Sequence, residues 1–264
     1  MKMNNKNIYF FYAFLLILFT SCEDVIDLDL ENTEPRVVIE AVTDMNTSTI
    51  NVDVTLTTDF FEQSGPDVVS DASVTLINEA GDAVDIPVNS DGRYSLSPIQ
   101  IISGEKYTLE VVVEGETYTA ETFAPYQVDI LTIDTILNPP FFEGGDPFYQ
   151  CLYAWNDTPA QENNYQLLTF INDTIAGPLS FYDDDGLDGQ LFIRPLMSIV
   201  EIGDTVRFQL VSIDEETYDY FVEFQSAVSQ GFNSTTPFNP QGNFNNNALG
   251  YFGIRIYNEL TIEF

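Results

Sequence analysis

Residues 36–124 alternate apolar and polar side chains, which is the pattern of strands buried on one face. In TINVDVTLT (49–57), every second residue from Ile50 to Leu56 is apolar. KYTLEVVVEGETYTAETF (106–123) keeps this alternation on both sides of Gly115, which predicts a hairpin that turns at the glycine. Further short strands are predicted at ASVTLIN (72–78) and NSDGRYSL (89–96). Strands at this spacing, without a helical segment between them, predict an immunoglobulin-like or transthyretin-like β-sandwich.

Residues 125–264 are also rich in strand patterns, but they are more aromatic and less regular. Ala124-Pro125 marks the joint between the two parts. We therefore predict a mainly β chain in which a second β-rich domain, residues 125–264, follows the sandwich. Its strands are predicted at VDILTIDTIL (128–137), FYQCLYAW (148–155), NYQLLTFIN (164–172), QLFIRPL (190–196), DTVRFQLVSI (204–213) and YFGIRIYNELTIEF (251–264).

One helix is predicted near residues 213–230, in the C-terminal half. Ser212 and Glu215 form an S-x-x-E capping box, and the acidic residues that follow Ile213 suit the positive end of a helix. Gly231 is expected to end the helix. Its apolar residues fall at i, i+3 and i+7 and predict a face packed in the core rather than a ligand site: Phe221, Phe224 and Val228.

A loop rich in Asn, Pro and Gly, NSTTPFNPQGNFNNNALG (233–250), separates this helix from the last strand. Phe238 and Phe244 are large apolar residues in an otherwise polar segment. We expect the loop to fold back and pack against the domain through them.

Residues 1–21 have the pattern of a signal peptide. Lys2 and Lys6 form a basic region, and the run from Ile8 to Phe19 is uninterrupted and apolar. A spanning helix needs roughly 20 apolar residues, so this run is too short to cross a bilayer. The alternative is an anchor helix that stays in the mature chain.

Cys22 follows this leader directly, in the sequence LFTSC. The pattern resembles the bacterial lipobox, although Phe19 stands where a leucine is usual. We expect Cys22 to become the first mature residue and to carry acyl chains, because two or three chains hold a protein firmly in a membrane. Residues 22–35 are acidic and end at Pro35, which predicts an extended tether.

The charge of the chain excludes several partners. It has 42 acidic and 8 basic side chains, a formal net charge of −34. Such a surface repels nucleic acid and anionic lipid headgroups. The chain has two cysteines, so once Cys22 is acylated Cys151 has no partner for an internal disulfide.

The sequence offers no catalytic residues, and we expect no enzymatic activity. It has no histidine, which excludes Ser-His and Cys-His nucleophiles and every His-ligated metal site. Phosphate-binding loops and dinucleotide-binding glycine patterns are also absent. A carboxylate pair for glycoside hydrolysis is conceivable, but among 42 acidic residues no pair stands out.

One acidic segment, FYDDDGLDGQLF (181–192), is a candidate calcium site. Asp183, Asp185 and Asp188 place hard oxygen ligands around a turn at Gly186, as calcium requires. The segment lacks the complete EF-hand pattern. The alternative is a solvated acidic hairpin. Apart from this site, no cofactor is expected.

Several segments in order resemble the DUF4249 lipoproteins of Bacteroidota: SCEDVIDLDL, DDDGLDGQ, IGDTVRFQLVSIDEETYDYFVEFQ and NPQGNFNNNALGYFG. The resemblance covers nearly the whole chain. It implies an outer-membrane lipoprotein, of a kind often encoded beside TonB-dependent receptors, and it supplies no catalytic residues. Glu23-Asp24 also resembles the acidic export signal of that phylum, which favours display on the cell surface.

Three functions are compatible with these observations. The first is a surface lipoprotein that assists a TonB-dependent receptor barrel by binding substrate or by docking on it. The second is a structural or adhesive envelope module without a small ligand, and the third is a carboxylate-dependent hydrolase. Exposed aromatic residues in a concave site favour the first, a smooth surface favours the second, and two buried carboxylates with raised pKa values favour the third.

Overall fold

Strands dominate the computed structural model, which describes residues 34–58, 65–229 and 238–264. The strands of the first part are β1 Val37–Asp44, β2 Thr49–Leu56, β3 Asp67–Val68, β4 Ser73–Asn78, β5 Ala83–Asp85, β6 Tyr94–Leu96, β7 Lys106–Val113 and β8 Glu116–Phe123. The second part continues with β9 Ile130–Asn138, β10 Phe148–Asn156, β11 Asn164–Ile171, β12 Thr174–Ile175, β13 Ser180–Asp183, β14 Leu191–Pro195, β15 Val200–Glu201 and β16 Thr205–Ile213. The helix α1 spans Glu215–Ser229, and the chain ends with β17 Leu249–Glu263. A mainly β chain with one helix in its C-terminal half is therefore confirmed.

The first part is a sandwich of two sheets. One sheet has the strand order β5-β4-β7-β8, and β1, β2, β3 and β6 belong to the other. One hydrophobic cluster contains buried residues of both sheets, such as Val52 and Leu109. The predicted alternation is confirmed in β2 and in the β7–β8 hairpin, where the apolar positions face this cluster.

The second part has its own hydrophobic cluster, built largely of aromatic rings. Strand β10 pairs with β9, β14 and β15, while β11 pairs with β12, β13 and β16. Trp155 is fully buried, stacks on Phe192 at 4.9 Å and meets the edge of Tyr165 at 5.4 Å. The strands predicted for this part are confirmed.

The last strand joins the two parts into one nine-stranded sheet. It pairs with β1 in parallel, placing Ile39 opposite Gly250, and with β16 in antiparallel, placing Phe208 opposite Leu260. Residues Pro35–Phe264 form one compact unit. The boundary predicted at residue 125 separates most members of the two hydrophobic clusters, but four later residues belong to the first cluster: Phe244, Ala248, Phe252 and Ile254. A division into two domains there stays a prediction.

The described part of the loop before β17 packs on the first part through one of the two phenylalanines predicted to do so. Phe244 is buried in the first cluster, whereas Phe238 is half-exposed. The Asn243 amide donates to the carbonyl of Glu121 in β8, and Asn245 exchanges hydrogen bonds with Thr119. These side chains occupy the free edge of β8, which would otherwise be open to pairing with another chain.

Several predictions fall on residues that the structure does not describe. They are the signal peptide over 1–21, the lipid attachment at Cys22, most of the tether over 22–35, and the helix end at Gly231. Within the described ranges, no helix has the length and apolar character needed to cross a membrane.

Candidate functional site

A cavity of about 390 Å³ lies where the end of β8 meets the N terminus of α1. We call it the junction cavity. One side is formed by Gly104 and residues 123–126. The other side is formed by residues 161–164, which lead into β11, and by residues 212–216, which lead from β16 into α1. Its volume falls in the range of small-molecule sites.

Asp214 is the capping residue of α1, and the predicted capping box is wrong in this respect. The Oδ1 atom of Asp214 accepts a hydrogen bond from the backbone N–H of Thr217 at 2.9 Å. Ser212 lies within β16, and its buried hydroxyl has no partner among the described residues. Because β16 continues to Ile213, the helix begins after Asp214, and this aspartate is the residue next to its first turn.

The second oxygen of Asp214 is buried among protein atoms. The side chain is 7% exposed, and its Oδ2 makes no hydrogen bond in the described part of the chain. Burial raises the pKa of Asp214 to about 7; hydrogen bonding from Thr217 lowers it and the charge of Glu216 raises it. The carboxyl group of Asp214 is thus desolvated, and its Oδ2 lies beneath the cavity wall, closed off from the cavity.

Two aromatic rings border the cavity on the opposite side. Phe123 is 54% exposed and Tyr126 is 48% exposed, although both are large apolar side chains. The ring of Tyr126 lies against Gly104, where any side chain would overlap its hydroxyl group. Gly104 therefore leaves room for the Tyr126 hydroxyl group.

The lining is acidic. It contains four carboxylate side chains and neither lysine nor arginine: Glu162, Asp214, Glu215 and Glu216. Desolvation and the nearby charge of Glu162 raise the pKa of Glu215, although its side chain is exposed. These acidic groups and the two rings make the cavity suited to a ligand without negative charge.

The apolar face of α1 is only partly buried, contrary to the core packing predicted for it. Phe221 stacks on Phe181 at 5.4 Å and meets Tyr251 at 5.0 Å. Phe224 and Val228 are 43% and 66% exposed. The second half of the helix is held by polar contacts, since the Gln225 amide donates to the Leu179 carbonyl and Glu223 accepts the N–H of Gln241.

The three predicted calcium ligands do not come together. Asp183 accepts hydrogen bonds from the Tyr218 hydroxyl at 2.7 Å and from the Asp185 N–H at 3.2 Å. Within the described ranges, a group of three aspartates has one carboxylate oxygen from each within 4.8 Å of the others: Asp157, Asp184 and Asp188. Asp188 is common to both sets. Calcium binding itself stays a prediction.

The carboxylates of this cluster accept hydrogen bonds from loop N–H groups and from a tyrosine of the second hydrophobic cluster. Asp157 accepts hydrogen bonds from the buried Tyr165 hydroxyl and from the Gly189 N–H. Asp184 accepts one from the Asn163 N–H at 3.1 Å. Burial and the charges of Asp157 and Asp188 raise the pKa of Asp184. The cluster therefore stabilises these loops. Asn163, which donates to Asp184, also lines the junction cavity.

Cys151 is fully buried in the second hydrophobic cluster. Desolvation raises the pKa of its thiol to about 11, so the reactive thiolate is scarce at neutral pH. This cysteine serves as a core residue.

Sequence reasoning missed the junction cavity and the central place of Asp214 in it. No local motif marks them, because the rings and the carboxylates come from distant segments. The only available signal was the run Asp214-Glu215-Glu216, which suits a helix start.

Comparison with known proteins gives a family and no activity. No curated protein matches the chain. The family model described as "Domain of unknown function (DUF4249)" matches residues 23–260, nearly all of the described chain. The chain therefore belongs to the DUF4249 family.

Proposed function

We propose that this protein is an outer-membrane lipoprotein, anchored through acylated Cys22 and facing the cell exterior. It acts without enzymatic chemistry, as an accessory component of a TonB-dependent uptake system that binds a small ligand. The observation that carries the binding role is the junction cavity, which combines two exposed aromatic rings with an acidic lining.

The cavity supports binding over a purely structural role for an energetic reason. Half-exposed rings such as Phe123 and Tyr126 forgo burial that would stabilise the fold. A ligand that covers these rings offsets that cost.

The same site supports binding over hydrolysis. A carboxylate-dependent hydrolase needs an acid and a base that both face the substrate. Asp214 is buried with a raised pKa, but the neighbouring Glu215 and Glu216 are exposed. A second buried carboxylate is not found in the part of the lining that the structure describes.

The anchoring and the partner can be tested in one preparation. The full chain is purified from detergent-solubilised outer membranes, and its N-terminal peptide is analysed by mass spectrometry. We expect Cys22 to carry acyl chains and a β-barrel receptor to co-purify, whereas Cys22→Ser leaves the membrane fraction. A free thiol at Cys22 or an intact leader contradicts the anchor, and the absence of any barrel contradicts the uptake role.

The binding role is tested separately in the junction cavity. Ligands extracted from the purified protein are compared with those from a Phe123→Ala variant, using native mass spectrometry. Retention of small molecules by the parent alone is expected. Equal retention by both proteins contradicts this site.

A further inference from the structure

A second cavity, of about 260 Å³, lies between α1 and the nine-stranded sheet. We call it the sheet-face cavity. It is lined by Thr217 and Phe221 of α1 and by residues of β1, β11 and β17, among them Val42, Leu168 and Gly253. An apolar cavity of about 150 Å³ already holds a benzene molecule. The sheet-face cavity therefore has room for a ring with a short arm.

The apolar walls of this cavity are incompletely buried. Five half-buried side chains contribute to them, and none belongs to either hydrophobic cluster: Val42, Leu168, Leu179, Phe221 and Tyr251. Protein interiors are densely packed and contain few voids larger than a water molecule. An apolar ligand in this space would remove these side chains from water and gain the free energy of that burial.

Arg255 supplies a positive charge at the cavity and is held in a fixed position. Its Nε and Nη2 atoms donate to Oδ2 of Asp44 at 3.0 and 2.8 Å. Asp44 is itself buried, and its Oδ1 accepts the N–H of Thr47 at 3.1 Å. Because both oxygens of the aspartate are engaged, the guanidinium is oriented before any ligand binds.

The guanidinium still has unused donors. A guanidinium has five N–H groups, and in the described part of the chain both of those on Nη1 are left without a partner. The Arg255 side chain is 40% exposed, so these groups are not sealed off. Such donors match the two oxygens of a carboxylate. The described lining contains no acidic side chain to repel this group, in contrast to the junction cavity.

Two further polar side chains line the cavity. The Gln166 amide and the Tyr251 hydroxyl make no hydrogen bond with other described residues, although both side chains are half-buried. Burial and the charge of Glu40 raise the pKa of Tyr251, so its hydroxyl stays protonated at neutral pH. Both groups can therefore donate to oxygen atoms of a ligand.

We propose that the sheet-face cavity binds a small apolar molecule that ends in a carboxylate. Arg255 binds the carboxylate, and the apolar side chains of the sheet and of α1 hold the body of the molecule. The site is separate from the junction cavity and does not rest on the function proposed for that cavity.

Three probes with the same phenylpropyl body isolate the effect of charge: hydrocinnamate is an anion, hydrocinnamyl alcohol is neutral, and phenylpropylamine is a cation. Their affinities for the full chain in a non-ionic detergent are measured by isothermal titration calorimetry. We expect hydrocinnamate to bind at least about tenfold more tightly than the alcohol, because hydrogen bonds between charged groups are stronger than those to a neutral group. Phenylpropylamine should show no measurable binding.

Variants of the charged group test the role of Arg255. Arg255→Gln should weaken hydrocinnamate at least about tenfold and change the affinity of the alcohol less than about twofold. If Arg255→Gln does not fold, combining it with Asp44→Asn removes both charges and leaves no buried carboxylate unpaired. Arg93→Gln is the control, since Arg93 is an exposed arginine that also pairs with an aspartate but lies outside the lining.

Variants of the wall test the location. Val42→Phe places a larger side chain in the cavity and should weaken both hydrocinnamate and the alcohol. Val38→Phe makes the same change on the same face of β1, outside the lining, and should leave both affinities as they are. Thermal unfolding of each variant verifies that it is folded.

The outcomes separate this site from the junction cavity. Equal binding of hydrocinnamate and the alcohol, with loss of both in Val42→Phe, overturns the carboxylate class. Binding that neither Arg255→Gln nor Val42→Phe changes overturns the location, and its loss in Phe123→Ala would place the probe in the junction cavity instead. If none of the probes binds, the inference is overturned, whereas the extraction of ligands from the junction cavity still tests the proposed function.

Discussion

The side chain of Asn243 exchanges two hydrogen bonds with the backbone of Phe252, accepting from its N–H at 2.9 Å and donating to its carbonyl at 2.8 Å. The amide thereby takes the place of a neighbouring strand along part of β17. Because the same nitrogen also reaches the Glu121 carbonyl in β8, one residue connects the two sheets of the sandwich.

Removing this amide should destabilise the protein. We expect Asn243→Ala to lower the free energy of unfolding by about 2–3 kcal/mol, because partly buried backbone groups lose their partner. Asn245→Ala serves as the comparison, since Asn245 is exposed and water can replace its hydrogen bonds; its cost should stay near 1 kcal/mol. Urea unfolding measures both, and equal losses would contradict the bridging role of Asn243.

The raised pKa of Asp214 predicts a pH-dependent stability. The unfolded chain releases this proton near pH 4 and the folded chain near pH 7, so ionisation progressively favours unfolding between these values. The contribution of protonated Asp214 to the free energy of unfolding is fully present below pH 4 and is lost as the pH rises through 7. The asparagine of the Asp214→Asn variant cannot ionise, so the unfolding free energy of this variant minus that of the parent should be about 3 kcal/mol larger at pH 8 than at pH 5.

The control for this measurement is Glu79→Gln, an equivalent change at an exposed position. Its unfolding free energy should follow that of the parent within about 0.5 kcal/mol at both pH values. If the difference between Asp214→Asn and the parent is the same at pH 5 and pH 8, Asp214 does not titrate as described.

A close backbone contact should make any replacement of Gly250 strongly destabilising. Its φ of +93° disfavours any other residue, and a Cβ atom there would overlap the carbonyl oxygen of Ile39 in the neighbouring strand. We expect Gly250→Ala to cost at least about 3 kcal/mol of unfolding free energy. Gly115→Ala is the matched control, because Gly115 has a similar φ of +86° but open space around it; its cost should be about 1–2 kcal/mol. Similar costs would contradict the contact with Ile39.

Calcium binding can be tested for two sets of carboxylates, the set predicted from the sequence and the set that lies close together in the structure. We expect calcium to raise the melting temperature of the parent, since close carboxylates repel one another without a cation. Asp184→Asn should abolish this rise and Asp185→Asn should preserve it, because only Asp184 lies in the close cluster. The opposite result would favour the set predicted from sequence, and no rise in the parent would contradict calcium binding.

The strands were predictable because their signal is local. Alternation from Ile50 to Leu56, or on both sides of Gly115, is visible within a few residues and is decided by one buried face. The short strands β12, β13 and β15 have too few residues to show a period. The pairing of β1 with β17 has no local signal, because it joins the two ends of the described chain.

The site was less predictable for a related reason. Phe123, Tyr126 and Asp214 line one cavity although they come from distant segments, and each alone looks like an ordinary surface or cap residue. The helix cap was misplaced because Ser212 and Asp214 both suit such a position. What decides between them is the length of β16, which a capping pattern does not contain.

The parallel pairing of β1 with β17 also sets the order of events when the chain is made. The central sheet lacks a member until residues 249–263 have left the ribosome, so an emerging polypeptide cannot complete its fold early. Synthesis of the last strand thus sets the earliest point at which the central sheet can close.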